Sequence, residues 1–121
     1  MKFKFERLLI WQMAMDLGEE INVLEMKFPK DELYNLTSHT IRAVDSIALN
    51  ISEGSIGQTN PEYKRFIGQS IRSLAESVTC LHKARRRKYI TSSEFDKNYE
   101  NSYNLMNMMV AFGLKSNSNL Q

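Results

Sequence analysis

The longest helical pattern in the sequence lies in residues 60–88, which read NPEYKRFIGQSIRSLAESVTCLHKARRRK. Asn60 followed by Pro61 and Glu62 predicts a helix start, because asparagine caps a first turn, proline fits it and an acid favours its positive end. Apolar and small residues then alternate spacings of four and three, which predicts a helix of about 28 residues packed along its length against other helices. They are Tyr63, Ile67, Ser70, Leu74, Ser77, Leu81 and Ala84.

A first helix is predicted before that stretch, over residues 5–27. Its apolar residues recur at helical spacings and therefore share one face. Phe28 and Pro29 are expected to end it, because the residue before a proline is pushed out of the helical region. The shared face consists of Ile10, Met13, Leu17, Leu24 and Phe28.

A second helix is predicted to extend to Glu53. Either Asp31 or Thr37 caps its start, and the sequence leaves both open. Gly54 is expected to supply the left-handed residue that commonly follows a helix end. The predicted core face consists of Leu36, Thr40, Ala43, Ile47 and Ile51.

A fourth helix is predicted after Thr91, which forms a capping-box pattern with Glu94. Its predicted core face consists of Phe95, Tyr99, Ser102, Met106, Met109 and Gly113. Residues 115–121 are rich in serine and asparagine and are expected to fray. Four helices joined by short connections predict an all-α fold, an antiparallel up-down-up-down four-helix bundle that forms a single domain over residues 1–121.

Two helices carry a second apolar set beside their main face. Either this surplus forms a subunit interface or the core face is wider than one row, and the sequence leaves both open. The additional residues are Ile41, Val44 and Ala48 on the second helix, and Leu105, Met108 and Phe112 on the fourth.

Composition excludes several classes of protein. The 121 residues are 42% hydrophobic, which is too apolar for a disordered chain. The single cysteine, Cys80, cannot close an internal disulfide, so a disulfide-stapled secreted scaffold is excluded. No apolar run reaches the roughly 18 residues of a membrane span, and the N-terminus lacks a signal-peptide pattern. The sequence therefore predicts a cytoplasmic protein with no membrane partner.

Positive charge is concentrated in one quarter of the chain. The formal net charge of the whole chain is +2, but residues 63–93 contain eight basic side chains against one acid, a net of +7. Residues 1–62 contain six basic and ten acidic side chains, a net of −4. The third predicted helix therefore produces most of the positive field.

The most specific motif in the chain is Asn50-Ile51-Ser52-Glu53-Gly54. It resembles the Asn-Ile-Ala-Glu-Gly signature of the bacterial four-helix bundle family, also called the 23S rRNA intervening-sequence or S23 ribosomal protein family. The resemblance covers nearly the whole chain. It continues through residues 5–8 with Trp11 and Ala14, and through residues 28–29, 32–38, 46–54, 66–67, 73–76 and 89–90.

Three positions depart from the family pattern. His39 stands where glutamine is usual, and Arg72 stands where glycine is usual. Ile41 replaces the first of a common arginine pair, of which Arg42 keeps the second.

The resemblance implies a four-helix bundle that assembles into a ring, typically a homopentamer. Family members are encoded within intervening sequences of ribosomal RNA. Related accessory proteins of diversity-generating retroelements are basic rings that engage nucleic acid and a reverse transcriptase. The resemblance therefore implies RNA or DNA and a protein partner as candidate ligands, with activity resting on analogy.

The basic third helix is the main candidate for function. At 100° per residue, Arg65, Arg72, Lys83 and Arg86 share one stripe, interrupted by Glu76, and a row of cations along a rigid helix suits phosphate binding. The alternative is that the terminal cluster only favours the helix dipole and stays solvated. The full set of predicted nucleic-acid-binding residues is Lys64, Arg65, Arg72, Lys83, Arg85, Arg86, Arg87 and Lys88.

The sequence predicts no catalytic, cofactor or metal site. His39, Cys80 and His82 are the only soft metal ligands, and neither a nucleophile elbow nor a P-loop occurs. Asn50 and Glu53 are interpreted as a polar pin across the second turn, with Glu53 pairing Lys64 or Arg65, and a ligand site is the alternative. Two functions remain open: a non-enzymatic nucleic-acid-binding ring, and a protein-interaction scaffold that uses Leu105, Met108 and Phe112.

Overall fold

The computed structural model describes residues 2–56 and 59–114, and these residues form an all-helical fold without a strand. The four main helices are α1 (Leu9–Glu25), α2 (Ser38–Ser55), α3 (Asn60–Arg86) and α4 (Ser92–Gly113). The predicted all-α class with four helices is therefore confirmed. The predicted frayed tail, residues 115–121, lies outside the described residues, and the single-domain organisation stays a prediction.

The long third helix follows its sequence pattern closely. It spans 27 residues, and all seven residues of the predicted core face are buried. The cap differs by one position: Thr59, not Asn60, precedes the first turn, and its hydroxyl accepts a hydrogen bond from the Glu62 backbone N–H at 3.3 Å. Threonine and asparagine cap in the same way, so the residue whose side-chain oxygen reaches the first-turn N–H groups sets the boundary.

The first helix is shorter than predicted at both ends. A 3-10 turn over Lys4–Arg7 precedes it, and Leu8 is extended with ψ 127°. At the other end, the backbone N–H of Lys27 bonds to the Leu24 carbonyl at 3.0 Å, a three-residue step that leaves the α-helix. Ile10, Leu17 and Leu24 are buried as predicted, while Met13 and Phe28 pack at the edge of the core.

In the connection from α1 to α2, neither of the two side chains that the sequence left open as helix caps makes a capping hydrogen bond. Lys30–Glu32 form a 3-10 turn and Leu33–Thr37 form a π-helical turn that runs into α2. Thr37 precedes α2, but its side chain makes no capping bond. The Glu32 carboxylate accepts from the Leu36 N–H instead, at 3.4 Å, and Asp31 stays exposed. A glutamate caps here because the π turn brings this N–H to its carboxylate.

Gly54 is not the left-handed residue that the sequence predicted. No described glycine has a positive φ, and Gly54 is buried inside the last turn of α2. A Cβ built on it would lie 3.0 Å from the Phe66 Cβ of α3. Glycine is required here by the close approach of two helices.

The fourth helix begins with the predicted capping box: Thr91 accepts from the Glu94 N–H, and the Glu94 side chain accepts from the Thr91 N–H. Its core face is rotated from the prediction. Leu105 is fully buried and Tyr99 is 40% exposed. The wider-core alternative therefore holds for Leu105, and equally for Val44 of α2. The exposed set predicted on this helix is wrong for Leu105, because two apolar rows lie one residue apart.

The extensive contacts are those between α1 and α2, α2 and α3, α3 and α4, and α1 and α4. Paired contacts run in opposite directions; in α2 and α3, for example, Ser70 donates to the Ile47 carbonyl and Gly54 approaches Phe66. This pattern is consistent with the predicted up-down-up-down bundle. Within the described residues, no helix is long and apolar enough to cross a bilayer.

Candidate nucleic-acid interface

Burial of one side of α3 sets the direction of its cations. The core residues recur at four and three, so the opposite face of the helix is left to solvent. Arg65, Arg72, Lys83 and Arg86 are all exposed there, and Lys64 is exposed beside them. At 1.5 Å per residue, the row from Arg65 to Arg86 is roughly 32 Å long. The structure therefore places the predicted stripe on one solvent-exposed face of α3. We call the exposed cations of this face the basic row: Lys64, Arg65, Arg72, Lys83 and Arg86.

No cation of the basic row makes an ion pair with another residue in ranges 2–56 and 59–114. The one acid that interrupts the row, Glu76, faces His39 of α2, with 3.5 Å between His39 Nε2 and the Glu76 carboxylate. Arg65 stays exposed while its guanidinium lies 4.5 Å from the centre of the Phe66 ring. The row therefore keeps its positive field.

Arg85 belongs to a different face. Its guanidinium lies 3.9 Å from the centre of the Phe95 ring of α4, a cation–π contact that leaves the side chain half-buried between the two helices. His82 packs against the same ring at 4.8 Å. Arg85 is therefore part of the α3–α4 packing and lies outside the basic row, although the sequence predicted it among the nucleic-acid-binding residues.

Arg87 is neutralised by a carboxylate that the sequence did not single out. Its Nη1 donates to Glu32 at 2.8 Å, and the Tyr89 hydroxyl donates to the same carboxylate oxygen at 2.6 Å. The Tyr89 hydrogen bond, with help from Asn35, Leu36 and Arg87, holds the pKa of Glu32 below its ordinary value. The same bond raises the pKa of Tyr89.

The pairing of Glu32 with Arg87 had no sequence signal, because the two residues lie 55 positions apart in the chain. It joins the α1–α2 connection to the turn after α3, where Phe28 also packs on Tyr89. Arg87 therefore acts first as a structural ion pair, with its remaining N–H groups free for other acceptors.

Lys88 occupies a strained turn position. Its φ is 64°, in the left-handed region that favours glycine. The Tyr89 N–H bonds to the Ala84 carbonyl and the Lys88 N–H to the Arg85 carbonyl, both at 2.9 Å, which is a Schellman ending of α3. Lys88 is exposed beyond the end of the basic row.

The polar pin predicted across the second turn is wrong. The Asn50 side chain donates within its own helix, to the Ser46 carbonyl at 2.8 Å. Glu53 is exposed and makes no ion pair within the part of the chain that the structure describes. The α2–α3 pair is instead joined by serines, because the Ser46 hydroxyl lies 2.5 Å from that of Ser73.

The candidate metal ligands are only partly brought together, since His39 and Cys80 line one cavity and His82 lies elsewhere. Among the described residues, no group of three or more His, Cys, Asp or Glu side chains could hold a metal ion. Cys80 is buried between α2 and α3, whereas His82 faces α4.

An apolar groove lies between α3 and α4 on another side of the molecule. Its volume is about 240 Å³, and it is lined mainly by Val78, Tyr99, Tyr103 and Met106. Tyr103 is 59% exposed. Of the predicted set on α4, Leu105 is buried, Phe112 packs on Tyr63, and Met108 is exposed at 37% without lining this groove.

Comparison with known proteins identifies a family and a related fold. A family model described as 23S rRNA-intervening sequence protein matches residues 6–111. The crystal structure of a protein of unknown function from the S23 ribosomal protein family of Bacteroides thetaiotaomicron VPI-5482 superposes with a TM-score of 0.80 at 14% identity, covering 88% of this chain and 100% of the other. That similarity is one of fold.

A curated relative from Sinorhizobium fredii (strain NBRC 101917 / NGR234), named "Uncharacterized hydrolase y4tI", is 29% identical over 85 residues. The match covers 67% of this chain and 21% of the relative. The chain therefore spans about a fifth of the length of that protein.

Proposed function

The chain belongs to the 23S rRNA-intervening sequence protein family, and we propose that it is a non-enzymatic protein that binds the phosphate backbone of RNA or DNA through the basic row of α3. The observation that carries this proposal is the row itself. Its five cations are exposed, lie on one helix and have no acidic partner among residues 2–56 and 59–114. Of the neighbouring cations, Arg85 packs on Phe95 and Arg87 pairs with Glu32, while Lys88 is exposed beyond the end of the row.

The geometry of the row suits a backbone rather than a base sequence. A rod of roughly 32 Å matches about nine nucleotides of one strand at 3.4 Å per phosphate. Lysine and arginine contacts to phosphates release counterions and give affinity without sequence readout. We therefore propose recognition of backbone or shape.

We further propose that the chain is an antiparallel up-down-up-down bundle and that copies of it form a cytoplasmic homo-oligomer, a pentameric ring by analogy with its family. A ring would multiply the basic row and raise affinity through several linked contacts. The apolar groove between α3 and α4 is the surface that we propose for the contact between copies.

The decisive experiment for the nucleic-acid proposal is charge reversal on α3. We expect the triple variant Arg72→Glu/Lys83→Glu/Arg86→Glu to bind single-stranded RNA and DNA at least about 100-fold more weakly at 50 mM salt, because three phosphate contacts become repulsive. Filter binding measures the loss.

The matched control is Lys2→Glu/Arg7→Glu/Lys30→Glu, which makes the same change in net charge at exposed cations outside α3. It should retain most of the affinity. If both triple variants lose affinity equally, the binding depends on net charge alone and the assignment to α3 is wrong. If the unaltered protein retains neither RNA nor DNA at low salt, the proposed function is wrong.

A second candidate function, a protein-interaction scaffold, is favoured by the apolar groove alone. The exposed Tyr103 in that groove would then contact another copy or a partner enzyme. We expect Tyr103→Lys to reduce the assembled mass measured by light scattering, whereas Tyr34→Lys, at an equally aromatic but more exposed position outside the groove, should not. A strictly monomeric wild-type protein would contradict the scaffold.

A further inference from the structure

A half-open cavity lined by both charged and apolar side chains lies between the start of α2 and the end of α3, beside the basic row. Its volume is about 160 Å³. A tetrahedral group of five heavy atoms fits a space of this size. The charged and hydrogen-bonding side chains that line it come from Asn35, His39, Glu76, Thr79, Lys83 and Arg87.

Two of these side chains are held in place from behind by Glu32. The Glu32 side chain is only 10% exposed. It accepts from Arg87 Nη1 at 2.8 Å and from Asn35 Nδ2 at 3.0 Å. Arg87 therefore presents its other guanidinium N–H groups in a fixed orientation, and a planar arginine fork is well suited to a tetrahedral oxyanion.

Lys83 supplies the second positive charge of the cavity. It makes no ion pair with any residue of the described ranges. The acid in the wall, Glu76, lies with its carboxylate 3.5 Å from His39 Nε2, and protonation of that imidazole would give the carboxylate a cationic partner. The cavity thus combines a lysine that is unpaired among the described residues, an oriented guanidinium and a carboxylate beside a histidine.

The geometry points to a binding site for a single phosphate group in this cavity, with Lys83 and Arg87 as the contacting residues and Glu32 as the residue that positions Arg87. The phosphate is either the 5′-terminal phosphate of a nucleic-acid strand, which rests on the proposed function, or free inorganic phosphate, which does not. A strand lying along the basic row would place its end at this cavity, because Lys83 belongs to both.

The test uses inorganic phosphate and a matched pair of single-stranded oligonucleotides, one with a 5′-phosphate and one with a 5′-hydroxyl. We expect phosphate to shift the amide resonances of residues 79–83 in NMR spectra of the whole protein. We expect the 5′-phosphorylated strand to bind about fivefold more tightly, the ratio that one exposed charge-assisted contact supports.

Lys83→Gln should remove both the resonance shifts and the fivefold ratio. The control is Lys64→Gln, which removes one exposed lysine of the same row away from the cavity and should keep the ratio. Both variants alter exposed side chains, so the fold is expected to persist.

The possible results separate this inference from the proposed function. Strands that bind equally with and without the 5′-phosphate, together with no response to inorganic phosphate, would overturn the phosphate site while leaving the proposed function intact. Phosphate shifts at residues 79–83 without binding of either strand would support the site for free phosphate and contradict the proposed function. Shifts spread along α3, or retained in Lys83→Gln, would overturn the site.

Discussion

Helices α1 and α3 bury similar apolar rows but present opposite charges to solvent. Between Leu9 and Glu25, α1 carries four acids and no lysine or arginine, whereas Asn60–Arg86 carries six cations against two acids. Part of the acidic charge on α1 is paired with α4, since Lys97 lies 3.7 Å from Glu20. The cations of the basic row have no such partners in the described ranges. The comparison shows that the buried faces of α1 and α3 determine the fold, whereas their exposed faces can differ in charge and therefore in function.

The largest predicted effect tests whether the two inner faces are equivalent. Leu17 of α1 and Leu74 of α3 are both buried, at 3% and 0% exposure. Leu17→Ala and Leu74→Ala should each reduce the free energy of unfolding by about 3 kcal/mol, because each removes buried methyl groups and leaves a cavity. Urea denaturation measures both. A loss under about 1 kcal/mol for either would mean that its helix is not part of a shared core.

A second pair of variants compares a glycine at the contact between α2 and α3 with a glycine on the outer side of α3. Gly54→Ala should destabilise by about 2 kcal/mol, because its Cβ would meet the Phe66 Cβ at 3.0 Å. Gly68→Ala is the matched control on the outer side of α3. A Cβ built on Gly68 has no atom within 4 Å outside the adjacent backbone. This variant should stabilise by up to about 1 kcal/mol through helix propensity. Equal effects in thermal unfolding would contradict the close approach at Gly54.

Among the acids of α1, Glu25 has a pKa that is raised strongly by burial. Burial, followed by the neighbouring Asp45, raises its pKa to about 7. The folded state therefore binds a proton more readily than the unfolded state. The resulting stability is fully present below the unfolded value near 4.5 and is lost as pH rises through about 7.

Wild-type protein should thus lose about 1 kcal/mol of unfolding free energy between pH 5 and pH 8 through this group, a value kept small because solvent screens a partly exposed carboxylate. Glu25→Gln should remove that part of the pH dependence, and Glu19→Gln, at an exposed site on the same helix, should not. Urea titrations at the two pH values measure it. Identical pH profiles for wild type and Glu25→Gln would contradict the assignment.

The smallest effect concerns the end of α3. Lys88→Gly should stabilise the protein by about 0.7 kcal/mol, because glycine adopts a φ of 64° without the penalty that a lysine incurs. Arg86→Gly, two residues earlier and still helical, should instead destabilise. Thermal unfolding compares the two. A destabilised Lys88→Gly would show that the side chain of Lys88 makes a contact worth more than the backbone strain.

The sequence predicted the parts of the fold that depend on local pattern. Seven of seven core residues of α3 and the capping box at Thr91 follow from spacings within one helix. The role of Gly54 did not follow, because it depends on how closely Phe66 of another helix approaches. The face of α4 was rotated, because two apolar rows containing Leu105 and Met106 compete and only the neighbouring helices select between them.

The candidate site shows the same division. The direction of Arg65, Arg72 and Arg86 follows from the heptad pattern of α3, because outward positions are those that the core does not use. The neutralisation of Arg87 by Glu32 did not follow, since it joins residues far apart in the chain. Which cations are free is therefore a tertiary property, although where they lie on the helix is a local one.

The slope of nucleic-acid affinity against salt tests the central claim most directly, because it reports how many phosphate contacts the protein makes. For single strands, each contact contributes about −0.7 to the slope of log K against log salt. We predict that Arg72→Gln/Lys83→Gln/Arg86→Gln reduces the magnitude of the slope by about 2, whereas Lys2→Gln/Arg7→Gln/Lys30→Gln leaves it unchanged. Equal slopes for both variants and the wild type would contradict the assignment of phosphate contacts to the outer face of α3.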